Sequence, residues 1–212
     1  MKVGVLGSGG VAQTLGAGFL RHGHEVMLGT RTVTKLADWA AAHPGAKVGS
    51  FAETGAFGEI LVLAVKGDAA AATLQAIGAA NLQGKTILDA TNPIAPAAPE
   101  QGVLKYFTTL EDSLLEGLQR EFPDARLVKA FNSVGAASMV NPSFAGGKPS
   151  MFICGDDAPA KETARQILDQ FGWETEDLGG AIAARAIEPL CMLWCIPGFL
   201  HNDWRHAFKI LR

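Results

Sequence analysis

Lys2-Val3-Gly4-Val5-Leu6-Gly7-Ser8-Gly9-Gly10-Val11-Ala12 is the stretch whose reading decides the fold. Lys2 to Leu6 is a short apolar strand. Gly7-Ser8-Gly9-Gly10-Val11-Ala12 follows it at once with the spacing GxGxxA, and Val11 to Leu20 has the composition of a helix. A strand, a glycine turn and a helix in this order build a cradle for a pyrophosphate. Gly7 permits the sharp turn, Gly9 lets backbone approach a phosphate with no Cβ in the way, and Ala12 lets the helix pack closely on the strand. The helix N-terminus then points unpaired N–H groups and a positive dipole end at the anion. A dinucleotide is the expected ligand.

Working outward, Ala12, Leu15, Gly16 and Phe19 fall on one helical face, and Gly23 is placed as a helix stop. Glu25 to Leu28 reads as a second strand ending in Gly29-Thr30-Arg31. About twenty residues past the glycines, an NAD site carries Asp or Glu for the ribose 2′-hydroxyl. Here that place holds Thr30 and Arg31, with Lys35 in the first turn of the next helix. A carboxylate repels a 2′-phosphate, whereas guanidinium and ammonium groups bind it by charge-assisted hydrogen bonds. The expected cofactor is therefore NADP(H), with Thr30, Arg31 and Lys35 around its 2′-phosphate.

The 212 residues hold one dinucleotide-binding domain, expected over residues 1–180, and a C-terminal helical segment over 181–212. A net charge of −3 with no Lys/Arg run gives no electrostatic footprint for nucleic acid. Three cysteines without framework spacing point to a reducing compartment, and no signal peptide is evident, so a cytoplasmic location is expected. The apolar run Pro189 to Leu200 is too short to cross a bilayer and holds two prolines, so no membrane partner is expected.

Further strands are expected at Lys47 to Ser50, Ile60 to Val65, Thr86 to Ala90, Arg126 to Phe131 and Ser150 to Cys154, with helices between them and Pro93 to Pro99 as a loop. The unbroken run Ile60 to Val65 is that of a parallel strand covered on both faces. The alternation argues for an α/β fold with a doubly wound, mainly parallel sheet. The glycine turn, Thr30-Arg31, Ala64 to Lys66, Thr91-Asn92 and Asn132 all fall just past strand carboxyl ends, where such sheets bind ligands.

Gly7 to Ala12, Gly29-Thr30-Arg31, Ala64-Val65-Lys66, Asp89 to Pro93, Lys129-Ala130-Phe131-Asn132 and Gly155-Asp156-Asp157 occur in order. Together they resemble the family of NADP oxidoreductases that couple NADPH to a deazaflavin coenzyme, factor 420, over Lys2 to about Leu200. The cytosolic domain of the six-transmembrane metalloreductases is similar. The resemblance implies a Rossmann-type fold and a hydride passed between nicotinamide and a flavin or deazaflavin ring. It also implies that Ala64, Val65, Lys66, Asn92 and Pro93 line the nicotinamide side and that the segment after Phe131 approaches the acceptor. Deazaflavin-specific members have a His near the position of Asn132, so the chain departs from them there.

Hydride transfer between two rings needs proximity, orientation and water exclusion more than a protein acid or base. Asn92 and Asn132 are the candidates to orient the carboxamide or the acceptor, or else simply tie down their own loops. Asp89 is read as a strand end, and His22, His24 and His43 as surface residues. Cys191 and Cys195 share a helix face near His201 and His206, but their spacing is a poor metal site, and no metal is expected. The apolar stretch Leu190 to Leu200 is expected to serve as core or as a homodimer interface. Two other functions share the N-terminal motif: reduction of a small imine or 2-hydroxy acid, and NADP(H) sensing without turnover. Only 32 residues follow Gly180, which speaks against the long helical substrate domain of the first of these.

Overall fold

The computed structural model describes residues 1–212. Its centre is a six-stranded, wholly parallel sheet of β1 (Lys2–Leu6), β2 (Glu25–Gly29), β3 (Lys47–Gly49), β4 (Ile60–Leu63), β5 (Thr86–Asp89) and β6 (Arg126–Lys129). The spatial order is β3-β2-β1-β4-β5-β6. The order reverses between β1 and β4, so a crevice opens there beyond the strand carboxyl ends. The family-level expectation of a Rossmann-type α/β sheet holds.

Helices cover both faces. On one, α1 (Gly10–Arg21) buries Ala12, Leu15, Gly16, Gly18 and Phe19, and fully burying a ring such as Phe19 contributes about 1.5–3 kcal/mol. The helix ends where Gly23 takes φ +80° and His24 N–H donates back to Phe19 O at 3.0 Å, a glycine stop of the kind expected. The same side holds α2 (Ala37–Ala42) with Trp39 buried. The other face is covered by α3 (Phe51–Phe57), α4 (Ala70–Ile77), α5 (Ala79–Leu82) and α6 (Leu114–Glu121). Ser50 and Ser113 begin α3 and α6 with reciprocal capping boxes to Glu53 and Glu116.

Three expectations need correction. First, β7 (Ser150–Ile153) does not join the main sheet: it pairs in parallel with β8 (Glu174–Asp177) across α7 (Ala158–Gln170). Its link to the main sheet is an antiparallel bridge between Lys129 and Cys154. Second, the C-terminal segment is helical only as far as His201, through a 3₁₀ turn at Ala181–Ala183 and α8 (Ala184–His201). Asn202 closes that helix in the left-handed region at φ +55°, and residues 202–212 run back as a strap. Ser150 N–H donates to Phe208 O at 2.9 Å and Ile210 N–H to Ser150 Oγ at 3.0 Å. Third, the apolar run 189–200 is part of a longer helical stretch, Ala181–His201, of 21 residues and mean hydropathy 1.3, long and apolar enough by composition to cross a membrane. One face of it is buried against the domain through Ala184, Ile187, Glu188, Cys191 and Trp194.

His22 and His24 are half-buried rather than free. His22 stacks on Phe171 and reaches Asn141 Oδ1 at 3.2 Å, and His24 Nε2 lies 2.8 Å from Gln170 Oε1.

Candidate functional site

At the switch point lies a cleft of about 870 Å³. Gly7, Ser8, Gly9, Gly10 and Val11 form its floor, Thr30, Arg31, Thr32 and Lys35 one end, and Ala64, Val65, Lys66 and Ala90 the other. Its volume is that of a site for a large organic ligand.

The glycine turn is built as its sequence requires. Gly7 has φ +142°, and a Cβ there would overlap the Ala64 carbonyl. Gln13 Nε2 donates to Ser8 O at 2.9 Å and steadies the turn. A Cβ on Gly9 or Gly10 would meet no atom within 4 Å, so both glycines face open space. Helix α1 starts at Gly9 with no side-chain cap and no acidic residue in its first turn. Its leading amides are left to a ligand or water, which suits a pyrophosphate.

Thr30 is buried at the end of β2, and its hydroxyl accepts Thr32 N–H at 3.3 Å while its own proton remains available. Arg31 and Lys35 are exposed at the rim. Lys35 sits in a single 3₁₀ turn, Val33–Leu36, ahead of α2 rather than in the first turn of that helix.

Four expected residues stand off the cleft wall. Ala12 is fully buried and packs α1 on the sheet, so it shapes the turn without facing the ligand. Asn92, Pro93 and Asn132 do not line the cleft, and the two asparagine amides turn on each other. Asn92 Nδ2 donates to Asn132 O at 2.8 Å, and Asn132 Nδ2 donates to Asn92 Oδ1 at 3.1 Å and to Ile187 O at 3.0 Å. Asn92 still borders the cleft's far end, since a Cβ on Gly67, next to the lining residue Lys66, would overlap its carbonyl.

Behind that end is a cluster that the strand-end reading of Asp89 missed. Lys129 Nζ lies 2.6 Å from Asp89 Oδ2 and 2.9 Å from Glu188 Oε1, and donates to Thr91 O at 3.0 Å. All three charged residues are at most 1% exposed. Burial alone lowers the pKa of the Lys129 ammonium, and the two carboxylates more than reverse this, so it is held above the ordinary lysine value. The available signal was a charge inside each apolar run, since a fully buried Lys, Asp or Glu is almost always paired.

Fold and cleft together define a dinucleotide-binding protein of the Rossmann type. A family model described as "NADP oxidoreductase coenzyme F420-dependent" matches residues 2–93. A crystal structure from Arthrobacter sp. FB24, of a provisionally assigned F420-dependent NADP-reductase, is similar at 36% identity and a TM-score of 0.92, covering 100% of both chains. The metalloreductase STEAP3 of Rattus norvegicus is 30% identical over 205 residues, which are 94% of this chain and 39% of the relative. The chain thus spans about two fifths of that curated relative. A reductive aminase from Aspergillus terreus in complex with NADPH shares the fold, with a TM-score of 0.69 at 19% identity over 95% of this chain and 62% of that one. The chain belongs to the coenzyme F420-dependent NADP oxidoreductase family.

Proposed function

We propose that the protein is an NADPH-dependent reductase that passes a hydride between nicotinamide and a flavin or deazaflavin-type acceptor. The observation that carries this reading is the cleft itself, with an uncapped helix start over a glycine floor at its centre and Thr30, Arg31 and Lys35 at one end. NADPH supplies the hydride when bound. In this reading the floor amides hold the pyrophosphate, and Arg31 and Lys35 neutralise the 2′-phosphate at the rim. Ala64, Val65, Lys66 and Ala90 enclose the nicotinamide end, and Asn92 and Asn132 fix its orientation from behind. No side chain at that end needs to carry a proton for direct hydride transfer. The acceptor is a small molecule; Asn132, standing where deazaflavin-specific members have His, makes its identity the point to test. We further propose a cytoplasmic homodimer that uses the outer side of α8.

Titration of NADPH and NADH into the wild type and Arg31→Ala tests the cofactor. The variant is expected to lose about 1.5–3 kcal/mol of NADPH affinity, with little change for NADH. Equal losses for both sink the 2′-phosphate assignment. Stopped-flow oxidation of NADPH with a deazaflavin, riboflavin phosphate, a ferric chelate and a cyclic imine then tests the acceptor. Tight NADPH binding without turnover on any of these overturns the reductase reading in favour of a sensor.

A further inference from the structure

Four residues in series line one wall of the cleft: Ala69, Ala72, Thr73 and Ala76. Their spacing of three, four and seven residues places them on one side of α4 and of the 3₁₀ turn, Gly67–Ala69, that leads into it. Phe51, at the start of α3, lines the cleft as well. Its ring belongs to the end closed by Thr30 and Arg31, since a Cβ on Gly29 would come within 3.2 Å of Phe51 Cδ1. The same ring packs on the apolar cluster that includes Ala70, Leu74 and Ile77 of α4. Ring and wall thus flank one slot, apolar but for a single hydroxyl.

That hydroxyl is neither bonded nor sealed. Thr73 is 3% exposed and lies deeper than Ala72 and Ala76, which are exposed; as a lining residue it opens what surface it keeps on the cleft. Elsewhere a helical threonine turns back on its own helix: Thr54 Oγ1 donates to Ser50 O at 2.8 Å and Thr163 Oγ1 to Pro159 O at 3.1 Å. Thr73 makes neither that bond nor another, and its oxygen is not closed off from solvent. A buried hydroxyl without a partner costs free energy, and alanine, which fills the four positions before it, suits a helix better. Neither packing nor helix formation accounts for Thr73. A polar group of a ligand in the slot does.

We propose that Thr73 reads the base of the dinucleotide: its hydroxyl accepts a hydrogen bond from the exocyclic amine of adenine, while Phe51 covers a face of the ring. This rests on the NADPH reading of the cleft. Arg31 and Lys35 stand at the exposed rim, so a base hanging from the ribose they hold enters the slot with its sugar-bearing side outward. The side that reaches buried Thr73 is then the one opposite the glycosidic bond, which in adenine carries the amine. The hydroxyl oxygen has lone pairs to receive it, and a base stacks on any aromatic face.

The test pairs NADPH with its analogue in which unsubstituted purine replaces adenine, so that only the amine is missing. Wild type is expected to bind the analogue about fivefold more weakly than NADPH. Thr73→Val keeps the shape, removes the hydroxyl and should bind both ligands alike, near the level of wild type with the analogue, because hydroxyl and amine act as one pair. Thr73→Ser keeps the hydroxyl and should restore the preference for NADPH. Equal affinity of wild type for the two ligands, or a preference that survives in Thr73→Val, overturns the proposal and leaves the NADPH reading standing. A wild type that binds neither ligand overturns that reading and this proposal with it. Should Thr73→Val fail to fold by circular dichroism, Thr73→Ala is judged by the same criteria.

Discussion

At the scale of single residues, the first two glycines of the turn have separable roles. Gly7 is required by the backbone: its φ is +142° and a side chain would run into Ala64. Gly9 has φ −82° and open space where a Cβ would stand. Gly7→Ala is therefore expected to lower stability by roughly 1–3 kcal/mol and NADPH affinity with it. Gly9→Ala should leave the urea midpoint within about 0.5 kcal/mol of wild type and still weaken NADPH, because its methyl projects into the cleft. Chemical denaturation beside ligand titration checks the pair, and parallel losses at both positions contradict the division. The cradle and the basic rim were legible in the sequence because both are local, a spacing and a pair of charges after a strand. The asparagine pair was legible only as candidates. Its bonds join residues 92, 132 and 187, and no local pattern records a contact between segments 40 and 55 residues apart.

At the scale of elements, α6 and α8 are joined by charge. Arg185 grips Glu116 with three hydrogen bonds of 2.7–3.1 Å, while Glu116 also serves the capping box of Ser113. The Arg185 guanidinium, followed by the Ser113 bonds, holds the Glu116 carboxyl down at about 2, below its ordinary 4.5. A carboxyl whose pKa is depressed on folding adds stability above its unfolded pKa and loses it as pH falls through the folded one. The gap in melting temperature between wild type and Glu116→Gln is thus expected to be full above pH 4.5 and to close as pH falls toward 2. A gap that does not change across that interval refutes the assignment. Among the elements, β1, β4, β5 and β6 were readable from continuous apolar runs, as strands buried on both faces must be. Strand β8 was not: Glu174-Thr175-Glu176-Asp177 is nearly all charged and sits at the edge of a two-stranded sheet, half exposed, so no apolar period marks it. The strap was missed for a related reason. Its hold depends on backbone bonds to Ser150 and on Trp194 donating to His206 O at 2.8 Å, contacts that composition does not reveal.

At the scale of the whole molecule, α8 faces two ways. Its inner side completes the core beneath the sheet, and its outer side shows Leu193, Phe199 and Leu200 at 55, 44 and 51% exposure, with Trp204 of the strap beside them. Exposed apolar side chains gathered in one region are a feature of association surfaces. Under the homodimer proposal, Leu193→Glu is expected to convert a sedimenting dimer into a folded monomer at micromolar concentration. A wild type that already sediments as a monomer removes that proposal.

The placement of β7 bears on the order in which the chain assembles. Its strand partner, residues 174–177, and the strap residues 208–210 that bond Ser150 both follow it in sequence, whereas β1, at the middle of the large sheet, finds its first partner within 25 residues. Because closing long loops costs entropy before contacts repay it, the glycine cradle and its flanking strands can settle early, and the small sheet with its strap closes last. A polypeptide emerging from the ribosome would then shape the cofactor end of its cleft before the helix that supplies Ile187 and Glu188 has been synthesised.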